Sequence, residues 1–130
     1  MQQSKRSTGF TLIELLVTIA IIGILTSIAM YSYSGQVQKT RRSDGKIALT
    51  RIAERLEQCF PNNNTYVGCV AFPEASPEGY YSVTSVVAAE TFTLTAAPQG
   101  AQTDDTLCGS LSLTDRGTKS ATGTNPNACW

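Results

Sequence analysis

The sequence predicts an α+β protein. One long N-terminal helix is apolar on all sides in its first half, and its second half packs on a small antiparallel β-sheet. Three observations predict this. Residues 10–30, FTLIELLVTIAIIGILTSIAM, form an almost unbroken apolar run. Residues 49–60 carry apolar side chains at helical spacing. Residues 80–113 hold three segments that either are rich in β-branched and aromatic residues or alternate apolar with polar.

The apolar run comes first. From Phe10 to Met30 there are 21 residues, and a helix of that length spans about 30 Å, the thickness of a bilayer's hydrocarbon core. The run has no polar stripe, which suits a membrane span or a helix buried all round. Ile and Val are mediocre helix formers in water, but in lipid a single segment can satisfy its own backbone only as a helix. Gly23 is a weak point, costing about 1 kcal/mol relative to Ala in water. Tyr31-Ser32-Tyr33 stands at the exit, where amphipathic tyrosines mark an interface. Glu14 is discordant. A carboxylate at the centre of a span costs about 3 kcal/mol and needs a partner. No Lys or Arg lies in the run. A cut between Gly9 and Phe10 would create a positive N-terminus four residues before Glu14. In a helix assembly that amine could belong to the next subunit.

The helix is expected to continue to Cys59 with one apolar face. Leu49, Ile52, Ala53, Leu56 and Phe60 form the stripe, and Lys46, Arg51, Glu54, Arg55 and Glu57 lie largely off it. Arg51 and Glu54 are spaced to pair, and Asp44-Gly45 is a place where the helix loosens. Pro61-Asn62-Asn63-Asn64 is expected to stop it. Residues 61–78 read as a loop. The short pattern Asn63-Asn64-Thr65 matches a glycosylation sequon but carries little weight. Strands are expected at Tyr80–Ala88, Thr91–Ala97 and Leu107–Leu113, the first two joined tightly through Ala89-Glu90. Such a meander buries one face and leaves the other wet. The tail, Thr114–Trp130, reads as irregular, with Trp130 placed against the core.

The totals narrow the function. Net charge is zero over 130 residues. Removing residues 1–9 takes away Lys5 and Arg6 and no acid, leaving eight basic and ten acidic side chains, a balance of −2. That is not an overall nucleic-acid-binding charge. Arg116 and Lys119 are the basic residues of the C-terminal region and the candidate DNA contacts there. There is no histidine, so no Ser-His-Asp or Cys-His pair is available. No glycine-rich phosphate loop is present. Glu54 and Glu57, beside Arg51 and Arg55, read as a solvated charged face. The chain is not expected to be an enzyme or to hold a cofactor.

Four cysteines, Cys59, Cys69, Cys108 and Cys129, read as two disulfides with three possible pairings. Pairing of neighbours would close two loops, each worth about 3 kcal/mol. A zinc site lacks C-x-x-C spacing, and Asp104-Asp105 offers only two adjacent acids for calcium. Disulfides place the globular part in an oxidising compartment and the N-terminus on the cytoplasmic side. The flanking charges do not orient the span, because Lys39, Arg41, Arg42 and Lys46 follow it. A secretory signal cut after Ser27-Ile28-Ala29 is the bland reading, but Glu14 would serve nothing in it.

Gly9-Phe10-Thr11-Leu12-Ile13-Glu14-Leu15 resembles the processing motif of type IV pilins and pseudopilins. The resemblance implies a leader at residues 1–9, a transmembrane and assembly helix at 10–35, and a periplasmic head at 36–130. It implies cleavage after Gly9 and N-methylation of Phe10 by a prepilin peptidase, and an assembly role for Glu14. The subunit would wait in the inner membrane and then join a filament of pilin subunits outside the cell. That pilus would serve twitching motility, adhesion or DNA uptake. Pilins commonly carry Pro where this chain has Tyr31, so the usual kink there is not implied. A C-terminal region closed by a disulfide resembles type IVa pilins, minor pilins somewhat more, rather than calcium-holding pseudopilins. Two alternatives remain: a DNA-binding minor pilin of natural transformation, and a type II secretion pseudopilin.

Overall fold

The computed structural model describes residues 9–130, and leader residues Lys5 and Arg6 lie outside them. The chain divides into two compact units at Gln36/Val37. Helix α1, Leu12–Asn63, contributes to both.

In the first unit, the large apolar side chains from Leu12 to Met30 are all exposed. The helix is long and apolar enough to cross a membrane. Its few hydroxyls are satisfied within the helix. Thr18 donates to the Glu14 carbonyl at 2.6 Å, Thr26 to Ile22 at 2.7 Å and Ser27 to Ile24 at 2.7 Å. Such back-bonding leaves no polar group of these side chains unpaired in an apolar surrounding.

In the second unit, five antiparallel strands run in sequence order: β1 Glu74–Ala75, β2 Tyr81–Val87, β3 Phe92–Pro98, β4 Leu111–Thr114 and β5 Lys119–Ala121. Alternation decides which residues face in. Tyr81 and Val83, Phe92, Leu94 and Ala96, and Leu111 and Leu113 are buried with Leu49, Ile52 and Leu56 of α1. The intervening Thr84, Thr93, Thr95 and Ser112 take the other face. Ala88 donates to the Thr91 carbonyl at 2.8 Å, which closes the β2–β3 hairpin around Ala89-Glu90 as expected.

Polar side chains pin the sheet connections to the helix. Arg42 forms a forked pair with Asp105, Nε–Oδ2 at 2.6 Å and Nη2–Oδ1 at 2.8 Å. Gln102 donates to Asp105 and to the Tyr81 hydroxyl, both at 3.1 Å. Asp44 accepts from the Ser76 hydroxyl and from the amides of Glu78 and Tyr80. Asp44-Gly45 is therefore a buried anchor and not a loosened turn. A methyl group on Gly45 would come within 2.9 Å of the Tyr81 ring.

Five expectations are corrected. Helix α1 does not stop at Pro61, which sits in its last turn and removes one i→i−4 hydrogen bond there. It ends at Asn64 (φ 53), whose amide closes on the Phe60 carbonyl at 2.7 Å. The loop at 61–78 contains β1, too short to leave a periodic signal. The third expected strand begins at Leu111 instead of Leu107, because Cys108 is tied to Cys129 and Gly109 takes φ 59. The tail is not wholly irregular: β5 adds to the sheet, and residues 122–125 donate along 106–110. Arg51 and Glu54 do not form an ion pair; Arg55 instead meets Glu74 at 2.7 Å. That exposed contact is worth less than about 1 kcal/mol.

The side chains of Arg42 and Asp105 are 8% and 0% exposed. Asp105→Ala leaves the guanidinium inside without a partner and is expected to cost about 3–5 kcal/mol. Arg42→Met/Asp105→Leu removes both charges and is expected to cost clearly less. Denaturant unfolding of the full chain in detergent checks both; equal losses would show that the unpaired charge is not the cause.

Candidate functional site

The first candidate site is the start of α1. Thr11 precedes the first helical residue. Its amide and its hydroxyl both donate to Glu14 Oε2, at 2.9 and 2.8 Å. The Glu14 amide donates back to Thr11 Oγ1 at 3.3 Å. This reciprocal pattern is a capping box, and it satisfies donors that a helix start leaves orphaned. Glu14 thus has a partner within the chain, although among the described residues no cation accompanies it. The T-x-x-E spacing of Thr11 and Glu14 was a legible signal for this cap. Gly9 and Phe10 lie just before the helix, and Phe10 is exposed.

The second candidate site is cationic and aromatic. Lys119 opposes Leu113 across the β4–β5 ladder, so it leaves the sheet on the helix-facing side. Because β5 is an edge strand, no further strand covers it. Its ammonium lies 5.2 Å from the centre of the Trp130 ring, within cation–π range. The Trp130 indole N–H donates to the Ser120 carbonyl at 2.8 Å, and the ring is half-buried against the core. Lys46 comes from α1. Burial holds its pKa below the usual lysine value, and the charges of Arg42, Lys119 and Lys39 push the same way. Lysines 46 and 119, far apart in sequence, therefore act on each other across the helix–sheet boundary. No spacing rule in the sequence connects them.

Arg116 is placed differently. It occupies the tip of the β4–β5 hairpin, is exposed, and its neighbours Asp115 and Gly117 line a groove against α1. Of the two candidate DNA contacts, Arg116 lies at the hairpin tip and Lys119 on β5 beside Trp130. The four cysteines are bonded as Cys59–Cys69 and Cys108–Cys129. The first bridge ties the end of α1 to the following loop, and the second ties the tail to the segment before β4. Asp105 is committed to Arg42, so Asp104 and Asp105 are not two free calcium ligands.

Residues 4–30 match the prokaryotic N-terminal methylation motif. Residues 32–112 match the family described as type IV minor pilin ComP, DNA uptake sequence receptor. The chain belongs to this family of type IV minor pilins. It is a structural protein and not an enzyme. A type IV pilin from Shewanella oneidensis is 33% identical, covering 72% of this chain and 97% of that one, with a TM-score of 0.54. The minor pilin PilV of Neisseria meningitidis is 26% identical, covering 69% and 91%, with a TM-score of 0.57. A probable minor fimbrial protein of Dichelobacter nodosus is 38% identical over 64 residues, which are 49% of this chain and 40% of the relative. The match thus spans less than half of that relative's length. The long helix, antiparallel sheet and C-terminal disulfide of this chain make up a type IV pilin fold, and the solved pilins match it over most of their length.

Like charges depress Lys46, so their removal should raise it. Lys119→Ala and Lys39→Ala are each expected to move the Lys46 pKa upward. NMR titration of methyl-labelled lysines in the full pilin reads this directly, and an unmoved Lys46 would separate it from the cluster.

Proposed function

We propose that this pilin is a DNA-binding subunit of a type IV pilus. It is made as an inner-membrane precursor with its head in the periplasm, cleaved after Gly9 and N-methylated at Phe10 by a prepilin peptidase. The leader then comprises residues 1–9, the assembly helix 10–35 and the head 36–130. After cleavage the Phe10 amine of a neighbouring subunit is the natural cation for Glu14. The carboxylate is already held by Thr11 through Oε2, and Oε1 remains for the incoming amine. A buried pair of this kind contributes little stability but fixes registry. The apolar helix anchors the precursor and then packs among other subunits, and the disulfide-bonded head faces outward.

The DNA reading is carried by one coincidence. The family match to a DNA uptake receptor covers residues 32–112, which include Lys46, and Lys119, which lies beyond the match beside Trp130, bears on Lys46 by its charge. Two ammonium groups can contact phosphates, and an indole adds a flat apolar surface beside them. The head as a whole is not basic, so affinity must come from this local cluster. Structural pilus roles without DNA, in adhesion or twitching, are the second reading. The similarity to major and minor fimbrial proteins supports it.

Two experiments test these readings. Glu14→Ala is expected to give normally processed chain, beginning at N-methylated Phe10 by intact mass, that fails to enter sheared pili. Normal entry would remove Glu14 from assembly. For DNA, the purified full chain in detergent is expected to retard duplex DNA in a salt-dependent way. Lys46→Ala/Lys119→Ala is expected to flatten the slope of log affinity against log salt by about 2 units, since each phosphate contact contributes about 0.9. Arg116→Ala is expected to change it by about 1 at most. No retardation at low salt would leave the purely structural reading.

A further inference from the structure

An open groove of about 420 Å³ lies between the later turns of α1 and the β4–β5 hairpin. Ala53, Phe92 and Leu113 form an apolar floor. Glu54 and Glu57 stand on the helix bank and Asp115 on the hairpin bank, and no Lys or Arg lines the groove. Among the described residues none of these carboxylates forms an ion pair. Glu57 accepts from a neutral group, the Tyr66 hydroxyl at 2.9 Å. Burial first, and then the hydrogen bond to Glu57 and the charges of Glu57 and Asp115, hold the Tyr66 pKa above the usual tyrosine value. Carboxylates from both banks therefore act at one place.

Chemistry narrows what such a groove can take. It repels a phosphate. A metal ion needs oxygens gathered around one point, and among the described residues no three acids or cysteines come together to hold one. A wholly apolar ligand would strip water from the carboxylates and give them no partner. What fits is a ligand whose cations are set apart along an aliphatic chain. Its methylenes lie on the floor and its cations turn outward to the banks, as the stem and end of a lysine do. On α1 the groove runs from Thr50 to Gln58, about 12 Å along the axis. That length admits an extended chain of roughly ten atoms.

We propose that the groove binds a linear aliphatic polyamine, with its methylene runs on Ala53, Phe92 and Leu113 and its ammonium groups on Glu54, Glu57 and Asp115. The complementarity is of charge and of its spacing. The groove has two negative banks with an apolar strip between them, and the ligand has positive groups with apolar runs between them. A molecule with one ammonium satisfies one bank and leaves the other bare. This site goes beyond the readings of the chain as a pilus subunit and as a DNA-binding head, and it depends on neither. Its charge is opposite to that of the Lys46 and Lys119 cluster, so the head presents one surface to polyanions and another to polycations.

The experiment titrates spermidine into the full methyl-labelled chain in a neutral detergent, at constant ionic strength and without DNA, and follows NMR shifts. Saturable shifts are expected at the Ala53 and Leu113 methyls. Glu54→Gln/Asp115→Asn keeps the size of both side chains and is expected to weaken binding about fivefold, the loss of two exposed ion pairs. Hexylamine, with one cation on a similar stem, is expected to bind about fivefold more weakly than spermidine. Four results overturn the proposal: no saturable shift at Ala53 and Leu113 in the unaltered chain, hexylamine binding as tightly as spermidine, the same signals moved equally by Mg²⁺ at equal charge, or spermidine affinity unchanged in the double variant. A lysine-rich peptide that binds more tightly than spermidine overturns the free polyamine as occupant. None of these results bears on the pilus or DNA readings, which stand on other residues.

Discussion

Helix α1 has to present apolar side chains all round along one stretch and a single apolar stripe along another. The rest of the structure follows from this constraint. Where every face is apolar, water is a poor surrounding, and only lipid or other helices make the conformation favourable. The internal bonds of Thr18, Thr26 and Ser27 suit that surrounding. Where only one face is apolar, Leu49, Ile52 and Leu56 need a cover, and the inward residues of β2, β3 and β4 supply it. A small head with one helix and one sheet has little core, so its long connections must be tied by other means.

Those ties are polar and covalent. Asp44 gathers Ser76 and two amides of the β1–β2 turn, and Arg42 holds the connection before β4 through Asp105. Both side chains come from one stretch of α1, and both reach segments that lack regular structure. The two disulfides act on the remaining loose parts, the segment after α1 and the tail. The tail in turn covers the β5 edge, where the Trp130 indole takes the Ser120 carbonyl. An edge strand left bare would offer its backbone to other chains. The same arrangement brings Lys119 and the indole together, so the stability of the edge and the candidate DNA surface share residues.

Charge on the head is sorted more than its sum suggests. The net charge is near zero, yet Lys39 and Lys119 both bear on Lys46 while Glu54, Glu57 and Asp115 share a groove. A balanced total therefore conceals two patches of opposite sign. Counting charges argued against DNA binding because it averages over surfaces that a ligand meets one at a time.

The sequence by itself determined the apolar helix, its stripe, the two central strands with their tight hairpin, and the motif around Gly9, Phe10 and Glu14. Each is a local pattern: a run of apolar residues, a period of 3.6 or 2, a short word of fixed spacing. The cap of Thr11 on Glu14 was of the same kind and could have been read. Tertiary structure decided what depends on contacts distant in the chain. It decided that Asp44 is an anchor, that Arg42 meets Asp105, that β5 forms in the tail, and that Lys119 stands over Trp130 and bears on Lys46. The physical reason is that burial and neighbouring charge are properties of a place in the fold. Residues 46 and 119 acquire a common place only after the helix and the sheet edge have packed.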